Sequence, residues 1–473
     1  MTKTITIDPV TRLEGHGKIT IELDARGEVK TAHFHVTQVR GFEKFSEGRP
    51  FYEMPALMAR ICGICPVSHL LASAKACEAI MAVEIPETAA QLRRMLNLAQ
   101  MVQSHALSFF YLSSPDLLLG MDSDPAARHI FTVAASYPEL GRAGVGLRRF
   151  GQHIIELLGD KRIHPGWVVP GGVTEPLTVA KRDEILGMLL DARVAVQLAL
   201  RSYKEITYRF EDEIAHFANF PSMFLGLVNG DESAEFTDGA LRLIDANGKI
   251  IEDGIRAKRF TEVMGEAVEP YSYTKFVYYK PFGYPEGCFR VGPLARLNIV
   301  KTMGTHLADA ELRQFKQLEN GPVRSSFHYH YARLIEMLHG IEKIEEILND
   351  PLILDKHVRA TAGVNRLEGA GQAEAPRGTL MHHYKVDEDG KMTWANLMVA
   401  TGLNNNAMNQ GVLQAARFFV KEGRLSEGIL NRMEAVVRTF DPCLSCSTHA
   451  WGKMPLLIEL KDAEGKQIGE ARR

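Results

Sequence analysis

The sequence predicts one large, mainly helical unit with β edges, an α+β fold class. Three observations predict it. The first stretch alternates apolar and polar residues as strands do, and the texture changes to helical spacing from Pro86 onward. No heptad, tandem repeat or low-complexity linker divides the chain.

Residues 1–60 are expected as a β-rich edge, because "GKITIELDARGEVKTAHFHV" alternates on both sides of "DARG", the pattern of a hairpin. "PVSHLLASAKACEAIM" then reads as a helix with Pro66 at its first position, where the missing N–H costs nothing. In "ETAAQLRRMLNLAQMVQSHALSFFYL", Leu92, Met95, Leu96, Val102 and Phe109 recur at the spacing of a long buried helix. Further helices are expected over 142–158, 181–217 and 308–349, punctuated by "HPGWVVPGGV" and "NFPSM". Short strands joined by Asn-Gly and Asp-Gly turns fill "FTDGALRLIDANGKIIEDG", read as a surface β excursion over 230–256.

Composition narrows the function classes. A hydrophobic content of 45% and a charged content of 24% fit a globular chain with a large core. The formal net charge of -3 gives no reason to expect nucleic acid or an anionic membrane as partner. No apolar run is long enough to span a bilayer, and "MTKTITIDPV" has no apolar signal region.

Six cysteines in 473 residues are not a disulfide scaffold. Cys77 reads as a small buried residue and Cys288 as an idle loop thiol. The other four form two C-x-x-C units, in "RICGICPVSH" (60–69) and "DPCLSCSTH" (441–449), each trailed by a histidine. Four thiolates suit zinc, iron–sulfur clusters or a later metal such as nickel. Zinc modules usually keep their two pairs within about 15–20 residues, whereas a whole domain intervenes here. Neither half holds the clustered third cysteine common in iron–sulfur sites. Spacing alone leaves structural zinc and redox-active metals both open. Cys65 is placed at a helix N-terminus, which favours thiolate, and His69 one turn further on could donate to a coordinated sulfur or simply be a satisfied structural histidine.

Those two motifs, with "RLEGHGKI", "RGFE" (40–43), "HPGWVVPGGV" and "EAPRGTL" in the same order, resemble the large subunit of nickel–iron (NiFe) hydrogenases. The details look closest to the soluble, cytoplasmic, NAD-reducing (bidirectional) type. The resemblance implies a helical-bundle core and a catalytic unit over 1–449. It implies that Cys62 and Cys443 are terminal nickel ligands, and that Cys65 and Cys446 bridge nickel to an iron carrying cyanide and carbon monoxide. It also implies heterolytic cleavage of H2, with Cys443 taking the proton and Glu14 relaying it. Arg377, with Pro376 beside it, matches the arginine over the open face of the metals. Thr401 matches a hydroxyl that bonds a cyanide, although Ala400 departs from the family there. Glu43 and His449 match magnesium ligands. Ser104 stands where membrane-bound relatives carry an aspartate.

The resemblance further implies that residues 450–473 are an extension removed after His449 by a maturation endopeptidase. With no spare cysteine cluster on this chain, electrons are expected to leave through an iron–sulfur small subunit, and FMN and NAD chemistry to belong to a separate diaphorase module. The alternatives are a soluble hydrogenase with another electron acceptor, and a zinc-stabilised, non-catalytic scaffold subunit of a respiratory-type complex. His328, His330 and His339 lack metal-ligand spacing and read as packing or surface residues, and either His382 or His383 could lie behind the metals. "EGAGQAEAPRG" lacks the third glycine of a dinucleotide fingerprint, so no nicotinamide site is expected on this chain.

Overall fold

The N-terminal alternation closes into a three-stranded antiparallel sheet, β1 (Lys3–Ile7), β2 (Gly17–Leu23) and β3 (Val29–Val36), in that spatial order. Ile19, Ile21 and Phe34 face the core, as the period of two requires. The computed structural model describes residues 3–421, 425–449, 457–461 and 466–472.

α1 (Pro66–Met81) starts at the expected proline and is buried nearly all round, so it is an interior helix. α2 (Glu87–Ala106) follows and buries Leu92, Met95, Leu96 and Val102. It runs into a π-helical stretch, Leu107–Ser113, which holds Phe109 in the core and which the periodicity did not reveal. α3 (Ser114–Leu119), α4 (Pro138–Gly159) and α5 (Val179–Ile206) come next. The helix expected over 181–217 therefore ends at Ile206. A 3-10 turn and the short helix Glu211–His216 complete that stretch.

β4 (Met223–Val228), β5 (Ala240–Ile244), β6 (Ile250–Ile255) and β7 (Phe289–Arg290) make a four-stranded sheet in the order β7-β4-β5-β6. The 230–256 excursion is thus only half at the surface. β5 is buried, because β4 and β6 flank it, and β6 is the exposed edge. α6 (Pro293–Ile299) precedes α7 (His306–Lys316) and α8 (Tyr329–Asn349). The single helix expected over 308–349 is broken between α7 and α8, where Gly321 adopts φ 112 and Pro322 follows it.

β8 (Glu368–Ala375), β9 (Gly378–Val386) and β10 (Met392–Met398) form an antiparallel meander, followed by α9 (Asn405–Phe419) and α10 (Glu427–Phe440). β8 lies against α1. A Cβ at Gly371 would come within 2.2 Å of the Ala72 carbonyl oxygen, and one at Gly369 within 2.3 Å of that of Ala76. The glycines that imitated a nucleotide fingerprint serve helix-on-strand contact.

In the 450–473 extension, Leu457–Lys461 and Gln467–Arg472 pair as an antiparallel hairpin, and residues 450–456, 462–465 and 473 lie outside the described residues. Among the described residues no helix is long and apolar enough to cross a membrane.

Candidate metal centre

The two C-x-x-C units meet in one apolar cluster with Met54, Met58, Ile61, Ala373 and Tyr384. Cys62 follows a 3-10 turn, and Cys65 caps the N-terminus of α1. Asp441 ends α10 in the left-handed region at φ 51, and the chain turns back so that Cys443 caps the single turn Leu444–Ser447 and Cys446 lies within it. All four ligand atoms lie within 4.8 Å of one another and all four residues are buried. The sulfurs pair first with first and second with second. Cys62 Sγ is 3.5 Å from Cys443 Sγ, and Cys65 Sγ is 3.5 Å from Cys446 Sγ.

Four buried sulfurs this close cannot all carry charge unaided. Hydrogen bonds from the three neighbouring cysteines hold Cys65 well below the ordinary thiol range, whereas burial pushes Cys443 and Cys446 well above it. A soft divalent cation removes that conflict by deprotonating coordinated thiols outright, so this donor set fits nickel.

Glu14 joins the centre from the loop after β1. The Leu444 N–H donates to its backbone oxygen at 3.1 Å. Its Oε2 accepts from the Ser445 N–H at 3.0 Å and lies 3.1 Å from Cys443 Sγ. The Thr401 hydroxyl oxygen accepts the Cys443 N–H at 2.9 Å, leaving its own hydrogen free.

Arg377 is buried beside the sulfurs. Its Nε donates to the Asp441 carbonyl at 2.5 Å and its Nη2 to Asp441 Oδ1 at 3.1 Å, while Nη1 is buried without a protein partner. Burial opposes its charge, but Asp441 and the cysteine sulfurs hold its pKa well above the usual value. Asp441 was given no role in the sequence, although it opens the second cysteine motif. Pro376 turns its carbonyl to Arg296 at 3.2 Å.

His69 Nδ1 is 3.1 Å from His382 Nε2, and His382 Nδ1 is 2.6 Å from the Tyr384 hydroxyl, which donates to Ser73. His69 is thus the first of a buried row behind Cys65, and it adds to the lowering of that thiol. His382 belongs to the row; His383 points away to Glu368 at 2.6 Å.

Glu43 and His449 line one small cavity with Lys275, Glu266 and Ser447. Glu43 Oε1 accepts the Leu397 N–H at 2.9 Å and lies 3.5 Å from Lys275 Nζ. His449 Nε2 contacts the Cys446 carbonyl, and its Nδ1 is buried without a partner. Lys275 is a cation that sequence reasoning missed, since nothing local distinguishes it from a surface lysine.

His328, His330 and His339 are separate from this centre, whereas His164 Nε2 lies 3.2 Å from the Cys62 carbonyl. His328 and His339 contact the Tyr203 and Thr305 hydroxyls, and His330 packs on Phe109 and Phe327. Ser104 Oγ is buried without a partner, and His105 Nε2 bonds Glu336 at 2.8 Å. Cys77 donates to the Phe51 carbonyl at 3.1 Å, and Cys288 is a half-buried free thiol.

A family model described as nickel-dependent hydrogenase matches residues 40–134 and 234–449, and one described as HoxL-like matches 4–39. The chain belongs to the nickel-dependent hydrogenase family. This hydrogenase chain, an oxidoreductase acting on H2 and a NiFe large subunit, is 40% identical to the NAD-reducing hydrogenase HoxS subunit beta of Cupriavidus necator, with 100% of each chain covered. It is also 40% identical to its counterpart in the F420-non-reducing hydrogenase vhc of Methanococcus voltae, with 99% of each covered. Among solved structures, an NAD+-reducing NiFe-hydrogenase in the H2-reduced state matches with a TM-score of 0.92 and 44% identity, over 94% of this chain and 99% of that one. A Ni-Fe-Se hydrogenase from D. vulgaris Hildenborough matches with a TM-score of 0.76 and 25% identity, over 95% and 100%.

Proposed function

We propose that this hydrogenase large subunit holds a nickel–iron pair on Cys62, Cys65, Cys443 and Cys446, and that it works in a cytoplasmic NAD-reducing enzyme. The observation that carries the site reading is the convergence of four sulfurs within 4.8 Å, with Glu14 Oε2 3.1 Å from one of them. Bound there, the metal pair with its cyanide and carbon monoxide ligands supplies the Lewis acidity and the open position for heterolytic cleavage of H2.

The chain's own residues do the rest. Cys443 Sγ receives the proton and passes it to Glu14 Oε2 across the existing 3.1 Å contact. The Ser445 N–H holds that carboxylate in place while the proton moves. Arg377 keeps a fixed positive charge facing the sulfurs, with Nη1 free to act on what lies there. Pro376 is buried beside it; the Thr401 hydroxyl, its hydrogen unused by Cys443, would donate to a cyanide, and His69 would donate to the Cys65 sulfur. Glu43 and the unpartnered Nδ1 of His449 would hold a magnesium ion, with Glu266 balancing the charge of Lys275 in that cavity at 3.0 Å.

Electrons leave through an iron–sulfur small subunit to a diaphorase module carrying FMN. What supports NAD as acceptor is the full-length likeness to the NAD-reducing relative and the TM-score of 0.92. What supports removal of 450–473 by an endopeptidase is that the family match ends at 449, and that the solved NAD+-reducing chain, 99% covered, spans only 94% of this one. The test is H2-dependent reduction of NAD+ by the complex purified with its native partners. NADH formation that needs H2 is expected. Reduction of artificial dyes without NADH formation contradicts NAD as the acceptor.

A further inference from the structure

Arg296, on α6, carries a fully buried guanidinium that faces two glutamates and two backbone carbonyls. Nε and Nη2 donate to Glu336 at 2.7 Å each, and Nη1 donates to Glu374 Oε2 at 2.6 Å. The same nitrogens reach further. Nη1 donates to the Ala375 carbonyl at 3.1 Å and Nη2 to the Pro376 carbonyl at 3.2 Å. Those carbonyls belong to the two residues that precede Arg377.

α6 touches the next carbonyl as well. Its first turn begins at Gly292, φ 94, where a Cβ would come within 2.6 Å of the Arg377 carbonyl oxygen. The Arg296 N–H closes that turn on the Gly292 carbonyl at 2.9 Å. The helix therefore grips the backbone on both sides of Arg377, and Asp441 holds the far end of its side chain.

We propose that Arg296 is a positioning residue for the hydrogenase reaction, which aims the Arg377 guanidinium at the metal centre by fixing the Ala375–Pro376 backbone. The proposal rests on the reading of Arg377 as the cation that faces the metals. Ion pairing alone does not require the two carbonyl contacts, since the glutamates already neutralise the guanidinium. The glutamates are themselves anchored. His105 on α2 bonds Glu336 at 2.8 Å, and the Leu227 N–H and Thr379 hydroxyl donate to Glu374 Oε1 at 3.0 and 2.8 Å. The Pro376–Arg377 turn is thereby referenced to α2, α6, α8, β4 and β9. Lysine cannot replace this arrangement, because a point ammonium lacks the planar fork that reaches five acceptor oxygens at once.

The test is a double-mutant cycle on the assembled complex, combining Arg296→Lys with Arg377→Lys. Two quantities are read: the H2–D2 exchange rate per nickel, and the infrared stretching bands of the iron-bound diatomics. Arg296→Lys is expected to keep nickel, to slow exchange by about tenfold to a hundredfold, and to move the bands in the direction that Arg377→Lys moves them. The double variant is expected to be no slower than Arg377→Lys alone. Effects that multiply, or an Arg296→Lys enzyme with native rate and bands, overturn the proposal. Should Arg296→Lys not load nickel, Glu336→Gln takes its place in the cycle with the same expectation of non-additivity. An Arg377→Lys enzyme with native rate and bands removes the underlying reading instead. Failure of the inference alone looks different: Arg377→Lys is slow and Arg296→Lys is not.

Discussion

Cys443 Sγ and Glu14 Oε2, 429 positions apart in sequence, lie 3.1 Å from each other, with the Ser445 N–H on the same oxygen at 3.0 Å. The backbone enforces the pair, because the Leu444 N–H bonds the Glu14 carbonyl at 3.1 Å and brings the two loops side by side. A thiol and a carboxylate at this distance can exchange a proton without rearrangement, as the proposed relay requires.

Glu14→Gln retains an oxygen for the Ser445 N–H but loses the proton acceptor. H–D exchange should fall by about a hundredfold or more, the range general acid–base groups contribute, with nickel content unchanged. Exchange at the native rate contradicts the relay.

The six cysteines should divide sharply under substitution. Cys446→Ser removes one of four converging sulfurs and should abolish nickel loading and processing after His449. Cys77→Ala loses its contact to the Phe51 carbonyl and some core packing; nickel should be retained and stability lowered by about 1 kcal/mol. Loss of nickel from the Cys77 variant contradicts the assignment of ligands.

Gly371→Ala should be damaging although the glycine, which pairs across the sheet with His382, carries no side chain into the site. Its Cβ would meet the Ala72 carbonyl at 2.2 Å, and because backbone cannot yield as a side chain does, a loss of about 1–3 kcal/mol is expected on denaturation. A native denaturation midpoint contradicts the helix-on-strand contact.

Acid should destabilise the fold through four interior histidines. Burial holds His105, His328 and His339 down at about 4 and His330 at about 3, against 6.5 in the unfolded chain. The folded-state values are lowered, so the unfolded chain takes up these protons first. Stability is therefore full above pH 6.5 and falls as pH drops from 6.5 toward 4, by up to about 3 kcal/mol for each histidine. Glu336 acts in the same direction at lower pH. Burial would raise it, but Arg296 and His105 more than offset that and hold it at about 2, so its contribution fades as pH falls from 4.5 through 2. Thermal midpoints measured between pH 7 and 4 check the trend; a flat profile contradicts it.

Much of this architecture was legible because local pattern and burial agree. β2 and β3 follow their alternation, and α1 starts at Pro66, where the proline costs no hydrogen bond. Where long-range contact decides, the sequence was silent. Periodicity carried the helical reading through Phe109 but could not show that the backbone there widens into a π turn. Nothing near Asp441 or Arg296 announces that each supports Arg377 from opposite ends, because their partners lie up to 80 positions away. The cysteines were readable as candidate metal ligands by residue type, and the fold brings all four together. Their pairing first with first and second with second is a property of the fold.

The most direct test is elemental analysis for nickel, iron and zinc in the mature protein purified with its native partners. The account predicts nickel at about one per chain, as four thiolate donors and a single centre require, with iron above what the partner's clusters explain. Zinc in place of nickel would contradict it, and would make the two cysteine pairs structural staples.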